Sequence, residues 1–524
     1  MSSHIEQRFN ELLQVSRELS GDKPLPQLFQ GVINLVCKST GADGGTLYMY
    51  DNKQDTLKAV LLTNFSLGMS SVVEEFDPLA VSGFLEVPLR QGGAGASAKI
   101  SASAFLRRRV IAVADVGADD EFDFEGVRAF DRANNYKTER IIAFPLNANN
   151  VLVGVMQVIN PRRECFSAEY LDFLETLAGQ IAIALNNAVL IKEGENLLGA
   201  IVQMIGMAID EKSPHTAGHC YRVTELTMML ADAAARESDG PLADFQMGEV
   251  EREELRMAAL LHDVGKVITP DHILEKRTKL YSLTDRIDLL NERIHIWTTH
   301  AELEALKKAV TDAGREDLLE SLKNAHAPSR EDLEFLDAVN KGLTPMTPDN
   351  MEKLGAISSR TIRKPDGGGG AAKENVIMKE DLSNLQTFRG TLNPEERKIM
   401  EDHVKSTIRL LSSIPWPRKF SRLVEYAGHH HEKLDGTGYP NKINGDDMST
   451  PARILGIADR FEGMSAPDRP YRSRKMSLSQ VLKIMTSMSR DGEIDPDLFG
   501  VFLKNKIHLI YGRKYLDETL IDCE

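Results

Sequence analysis

Glu251–Lys266 reads EREELRMAALLHDVGK, an amphipathic helical run that ends on a histidine–aspartate pair followed by Val, Gly and Lys. Together with Pro417–Glu432, PRKFSRLVEYAGHHHE, it decides the fold of the second half of the chain: strand patterning almost vanishes after Glu211, and an all-α domain is expected. Adjacent residues on a helix point about 100° apart, so His262 and Asp263 serve one centre only if that centre is large or multinuclear. Asp263 has two oxygens with which to bridge neighbouring ions. Gly265 would admit a close backbone approach, and Lys266 would bring a positive charge to a phosphate. A capped helix end with Gly265 near the C′ position explains the glycine but leaves a buried His–Asp pair unexplained.

Other candidates are scattered along the same half. In Asp210–Cys220, DEKSPHTAGHC, Ser213 and Pro214 suit a helix N-cap and first position, which sets His215 and His219 one turn apart on one face. Such a pair alone is more often polar surface. His403 in PEERKIMEDHVKS and Asp459 in ARILGIADRFEG are individually ordinary surface or satisfied core groups. The apolar face of Phe420, Leu423, Val424 and Ala427 continues towards His430 and His431, and HHHEKLDGTGYP (His429–Pro440) follows. Gly436 and Gly438 open turn conformations, while Tyr439 before Pro440 favours an extended exit, so the loop can lie rigidly beside a site. A plain turn accounts for those glycines but not for the adjacent histidines.

The first half is different. GGTLYMYD, LKAVLLT, RIIAFPLN and VLVGVMQVIN alternate as strands between helical stretches, which gives an α+β domain. Leu190, Leu197, Ile201, Ile205 and Ala208 then recur near helical spacing, as a connecting helix over 191–210 that either pairs with a second copy or packs on its own chain. Residues 281–389 form a charged insert, expected as a helical hairpin followed by a glycine-rich linker at KPDGGGGAAKEN. A helical extension over 481–524 closes the chain.

At 524 residues several domains are required, and a net charge of −15 disfavours nucleic-acid polymers and membrane surfaces. No uncharged apolar run reaches the roughly 18 residues of a membrane span, and no leader pattern is seen, so a cytoplasmic protein without a membrane span is expected. Cys37, Cys165, Cys220 and Cys523 lack CxxC spacing, which leaves His and carboxylate as the metal-ligating types.

GADGGTLYMYD and AFPLNANNVLVGVMQVINPRRECFSAEYLDFLETLAGQIAIAL resemble the two ends of a GAF domain, a sensory module, over residues 20–190. HDVGK and HHEKLDGTGYP resemble without mismatch the two motifs of the HD-GYP family, a branch of the HD-domain metal-dependent phosphohydrolases. PDHILEK, GTLNPEERKIMEDH, PARILGIADRFE and DRPYRSRK follow in the family's order across residues 211–480, the insert excepted. The overall expectation is multidomain: an N-terminal α+β GAF-like domain, a connecting helix and a C-terminal all-α helical bundle.

The resemblance implies metal ligands at His219, His262, Asp263, His403, His430, His431 and Asp459, with His215 and Glu211 as candidates for a third ion. His429 falls outside the motif. So many oxygen and nitrogen ligands suit two octahedral centres, with iron or manganese favoured over zinc. Two such ions hydrolyse phosphodiesters with water as nucleophile, and no serine or cysteine nucleophile is needed. His262, Asp263 and Lys266 are the expected catalytic residues; Lys266, Gly436, Gly438, Tyr439, Pro440, Arg453, Arg469 and Arg472 are expected to meet the substrate.

The activity so implied is hydrolysis of cyclic di-GMP to pGpG and/or GMP in bacterial signalling, under control of an unknown small-molecule ligand of the GAF domain. A homodimer through the connecting helix and protein partners at the GYP loop belong to the same expectation. The alternatives are hydrolysis of cyclic GMP-AMP, a non-catalytic cyclic di-GMP receptor, and an interaction protein working through the insert and the GYP loop.

Overall fold

The computed structural model describes residues 24–74, 76, 83, 85–91, 95–96, 98–212, 218–312, 330–365, 371–388, 390–466 and 475–523. They fall into two compact units that meet between Leu198 and Gly199.

The first unit is built on strands β1 (Gly44–Asp51), β2 (Thr56–Asn64), β3 (Met69–Val72), β4 (Leu85–Pro88), β7 (Ile111–Val113), β8 (Ile141–Ala148) and β9 (Val151–Ile159), with a small β5–β6 ribbon (Arg90–Gln91, Gly95–Ala96) beside them. The seven form one antiparallel sheet in the order β3-β2-β1-β9-β8-β7, with β4 also on β2. Period-two alternation sends β8 residues Ile142, Phe144 and Leu146 to one face, where they pack with Phe29, Val32 and Ile33 of α1 (Leu25–Thr40). Ile141 and Ala143 go to the other face, against Ala102 and Phe105 of α2 (Ile100–Arg107). Helix α3 (Glu125–Asn134) follows β7 in the chain.

Helix α4 runs unbroken from Ala168 to Lys212, so the expected connecting helix is the second half of a longer one. By length and composition α4 could cross a membrane, a property that the criterion of an uncharged run does not capture. Its early turns place Phe173, Leu174, Leu177, Ile181 and Leu185 in the core of the first unit.

In the second unit α5 (His219–Ala234), α6 (Glu249–Leu261), α11 (Pro394–Ser412), α12 (Leu423–Gly428) and α13 (Thr450–Ser465) make the bundle that carries the candidate residues. Local sequence fixes the start of α11: Asn393 is the N-cap, Pro394 takes the first position, and Glu396 closes a capping box. Lys276 Nζ clamps both Glu396 oxygens at 2.6 and 2.7 Å, tying the chain just beyond the short helix α7 (Asp271–Leu274) to α11. The C-terminal helices α14 (Leu478–Arg490), α15 (Pro496–Lys504) and α16 (Ile507–Tyr515) are part of this bundle. Phe461 of α13 packs its ring on Phe502 at 4.9 Å and on Tyr511 at 5.4 Å.

The insert has its own small core, in which Leu290 and Ile294 of α8 (Ile287–Thr311) meet Leu336, Leu354 of α9 (Pro348–Ser358), Val376 and Leu385 of α10 (Lys379–Leu385). The expected linker is instead flanked by a β-hairpin, β10 (Thr361–Pro365) paired with β11 (Ala371–Asn375). Gly367–Gly370 lie outside the described residues.

Candidate metal centre

Each expected ligand is delivered by the end or inner face of a helix. His219 opens α5 behind Gly218, whose φ of 76° is a conformation that favours glycine. His262 and Asp263 sit just past the end of α6, His403 faces inward from α11, His430 and His431 follow α12, and Asp459 lies on α13. His219, His262, Asp263, His403, His430 and Asp459 are buried, and His431 is partly so.

The imidazoles are aimed by their far nitrogens. His262 Nδ1 meets Ala259 O at 2.7 Å, His403 Nδ1 meets Met400 O at 2.5 Å, and His430 Nδ1 meets Ala427 O at 2.6 Å. A carbonyl only accepts, so each Nδ1 carries a proton and each Nε2 is turned to the interior. His219 Nδ1 instead faces the buried Glu462 carboxylate at 2.5 Å, which Arg222 Nε holds from behind at 2.7 Å.

Asp263 stands between two groups of ligands. Its Oδ2 is 3.3 Å from Nε2 of both His219 and His262, and its Oδ1 is 3.3 Å from His403 Nε2. Asp459 Oδ1 approaches His219 Nε2 at 3.4 Å and His262 Nε2 at 3.7 Å, while its Oδ2 is 3.7 Å from His431 Nδ1. Ligand atoms of His219, His262 and Asp263 lie within 4.8 Å of one another, as do those of His403, His430 and His431. Lys266 Nζ is 2.5 Å from Asp263 Oδ2.

The electrostatics fit divalent cations. Nε2 of His262, His403 and His430 and Oδ1 of Asp263 are buried without a hydrogen bond among the described residues, a costly arrangement for a finished core. Burial and the neighbouring His262 push His430 down to about 3, and burial likewise holds His431 well below the usual histidine range. Burial opposes ionisation of Asp263, yet Lys266 and the imidazoles keep it well below the carboxylate range. Burial opposes protonation of His262, yet Asp263 and Asp459 push it up to about 9, so the carboxylates draw positive charge to its Nε2; imidazoles around buried carboxylates are the donor set of a metal pair.

Glycine makes the assembly possible at two points. A β-carbon on Gly265 would lie 1.9 Å from His403 O, so only glycine lets the 3-10 turn Val264–Val267 seat on α11. Gly265 N donates to Thr407 Oγ1, which in turn donates to His262 O, both at 3.0 Å. At Gly438 a β-carbon would meet Lys433 N at 2.4 Å. The loop so folded stacks Tyr439 on His431 at 4.8 Å, enters Pro440 through a cis peptide, and turns at Gly436 with φ 74°. Glu432 pins its exit by accepting from Asn441 N at 2.7 Å and Ile443 N at 3.3 Å.

Other expected residues are placed elsewhere. Arg453 is committed to Asp495 at 2.9 Å and to the carbonyls of Met448 and Gly445, so its placement gives no support to a phosphate role. Glu211 is exposed in the last turn of α4 and belongs to neither ligand group; His429 is partly buried outside both. His215, Arg469 and Arg472 lie outside the described residues.

Sequence reasoning missed Glu462, Arg222 and Arg460. Arg460 donates to His430 O at 2.9 Å and Glu432 O at 2.8 Å, bracing the histidine pair from behind. The signal was present in DRFE, since Glu462 lies one turn from Asp459 and shares its face.

Comparison with known proteins gives matches over both units. A GAF domain profile matches residues 22–186, and HD domain profiles match 216–343 and 378–498. The chain is 39% identical over 313 residues to 3'3'-cGAMP-specific phosphodiesterase 3 of Vibrio cholerae serotype O1, covering 60% of this chain and 40% of that protein. It is 32% identical over 133 residues to a cyclic di-GMP phosphodiesterase of Thermotoga maritima, covering 25% of this chain and 35% of that one. The chain thus spans less than half the length of either relative. Among solved structures, the GAF domain of an Acinetobacter phosphoenolpyruvate-protein phosphotransferase aligns with 36% of this chain and 98% of its own at 15% identity and a TM-score of 0.26.

Proposed function

We propose, from the premise that the chain belongs to the HD-GYP branch of the HD-domain proteins and carries a GAF domain ahead of the HD region, that it is a metal-dependent phosphodiesterase of cyclic dinucleotides. One observation carries this reading: two groups of imidazole ligand atoms share the two oxygens of a buried Asp263.

His219, His262, Asp263 and Asp459 would hold one ion and His403, His430, His431 and the shared carboxylates the other, with iron or manganese suited to the mixed nitrogen and oxygen set. Bound there, the ions supply Lewis-acid stabilisation of phosphoryl charge and an acidified water. The chain's own contribution is to aim the imidazole Nε2 atoms at the centre, to keep Asp263 ionised beside Lys266, and to offer the Lys266 ammonium to a phosphate oxygen. Tyr439, fixed over His431 by Gly436, Gly438 and Pro440, supplies an aromatic wall for the substrate, and Arg469 and Arg472 are proposed as further phosphate partners. Exposure of Glu211 favours two ions over three.

Cyclic di-GMP, opened to pGpG and/or GMP, is the substrate that the motifs suggest. The 39% match over 313 residues to a 3'3'-cGAMP-specific enzyme supports 3'3'-cGAMP as a second reading. The GAF domain is proposed to regulate the enzyme on binding a small molecule. Leu190, Leu197 and Met204, each more than half exposed at seven-residue spacing on α4, suggest a homodimer seam.

The test is product analysis with full-length protein purified anaerobically, loaded with ferrous iron or manganese, and given each dinucleotide separately. The expected result is a linear dinucleotide or mononucleotide from one of them, lost on chelation. Both substrates intact at full metal occupancy would replace the enzyme reading by that of a receptor.

A further inference from the structure

The last turn of α4 holds two segments of the metal centre at once. Lys212 Nζ donates to the carbonyls of Lys266 at 2.9 Å, Val267 at 2.6 Å and Thr269 at 2.8 Å, using every proton of the ammonium. Those carbonyls line the turn that follows His262 and Asp263 and carries Lys266. The same turn is wedged on α11 at Gly265, so Lys212 holds a turn that α11 already supports.

Two residues earlier, the buried Asp210 accepts from Cys220 N at 3.1 Å. Helix α5 begins at His219 behind Gly218, which has no side-chain oxygen with which to cap the first turn. Asp210 provides that missing acceptor from a neighbouring helix. Residues two apart on a helix point about 200° apart, so one turn of α4 reaches in opposite directions, to the segment that starts with His219 and to the turn behind His262 and Asp263.

We propose that Asp210 and Lys212 are positioning residues that form a clamp at the end of α4, through which displacement of that helix changes the shape of the His219/His262/Asp263 half of the site. The inference rests on the metal-centre reading above. Its primary readout is metal affinity, so it stands or falls separately from the choice of substrate.

The experiment is manganese titration of the full chain followed by electron paramagnetic resonance, with thermal melting to verify folding. Lys212→Met and Asp210→Ala are each expected to weaken one of two manganese equivalents about tenfold, the scale of lost outer-shell support, and to leave the other unchanged. Lys212→Arg and Asp210→Asn, which keep a donor and an acceptor, should recover most of the loss. Inserting one alanine after Gly194 rotates the helix by about 100° and should alter the same equivalent in the wild type, with no further effect in Lys212→Met.

Wild-type binding of both equivalents with an unaffected, folded Lys212→Met would overturn the clamp. No manganese binding by the wild type would overturn the metal-centre reading beneath it. Should Lys212→Met fail to fold, Lys212→Gln carries the same expectation.

Discussion

Two polar clusters, a partly buried one in the first unit and a buried one in the second, are built from similar residue types to opposite ends. In the first unit Tyr136 OH donates to Asp43 Oδ2 at 2.6 Å and accepts from Asn160 Nδ2 at 3.0 Å. Asn160 Oδ1 takes the N–H groups of Glu139 and Arg140, and Ser66 Oγ donates to Asp43 Oδ1. Each of these groups has a complement within the chain, and together they lock the ends of the strands. In the second unit, Nε2 of His262, His403 and His430 converge on carboxylates without such complements. Low local dielectric magnifies both cases: a satisfied network stiffens a fold, and an unsatisfied one calls for a ligand. The contrast separates polar burial that serves architecture from polar burial that serves chemistry.

The strongest way to break this contrast is to remove the shared bridge. His262→Ala combined with Asp263→Ala should lower turnover by at least about a thousandfold and abolish metal loading, since two candidate ligands go together, one of them the shared carboxylate. The fold should persist, because the double substitution also removes the buried, unsatisfied Nε2 of His262 and Oδ1 of Asp263, which offsets the loss of the bonds to Ala259 and Lys266. Metal content by elemental analysis, circular dichroism and turnover would be measured together; retained turnover would place the chemistry elsewhere.

A smaller effect is expected one layer out. Glu462→Gln removes the negative charge behind His219 and leaves Arg222 without its ionic partner. Loss of such support typically costs about 10- to 100-fold in metal affinity, and the lower end is expected here because an amide oxygen still orients the ring. Competition with a chelator of known affinity would measure it. An unchanged affinity would mean that Glu462 serves packing alone.

How far the sequence revealed these features depends on where the information lies. The candidate ligands were proposed through a family resemblance carried by short motifs, HD before GK and HH before the GYP loop; His219, His403 and Asp459, ordinary by themselves, joined them only through that resemblance. Glu462 and Arg460 were not, since a charged pair one and three residues past Asp459 in DRFE also suits a solvated helix face. Only packing against α5 and the His430 segment shows that both point inward. The strands flanking the glycines of KPDGGGGAAKEN were not legible for a related reason: the composition is that of a linker, and the pairing of Thr361 with Asn375 leaves no mark in it. The extent of α4 was missed because its early turns were read with the first domain and its later turns as a separate connector.

The smallest predicted effect tests the satisfied cluster. Burial first, and then the Asp43 carboxylate, push the Tyr136 phenol up to about 12. In an unfolded chain it would ionise near ~10. Below about pH 10 both states hold the proton, and the hydrogen bond to Asp43 contributes in full. As pH rises through the window from ~10 to ~12 the unfolded state gives up its proton first, so it binds fewer protons than the folded state and stability falls. Tyr136→Phe should therefore destabilise the protein by about 1 kcal/mol at neutral pH, the scale of a partly buried hydrogen bond whose acceptor is left behind. Denaturant melts of the two proteins should converge as pH approaches 12, because the wild type alone loses this contribution. Metal content should be the same in both at every pH. A wild-type advantage that persists undiminished through this window would show that Tyr136 acts by shape, and a fall in metal content would tie to the metal centre a cluster that has so far served architecture alone.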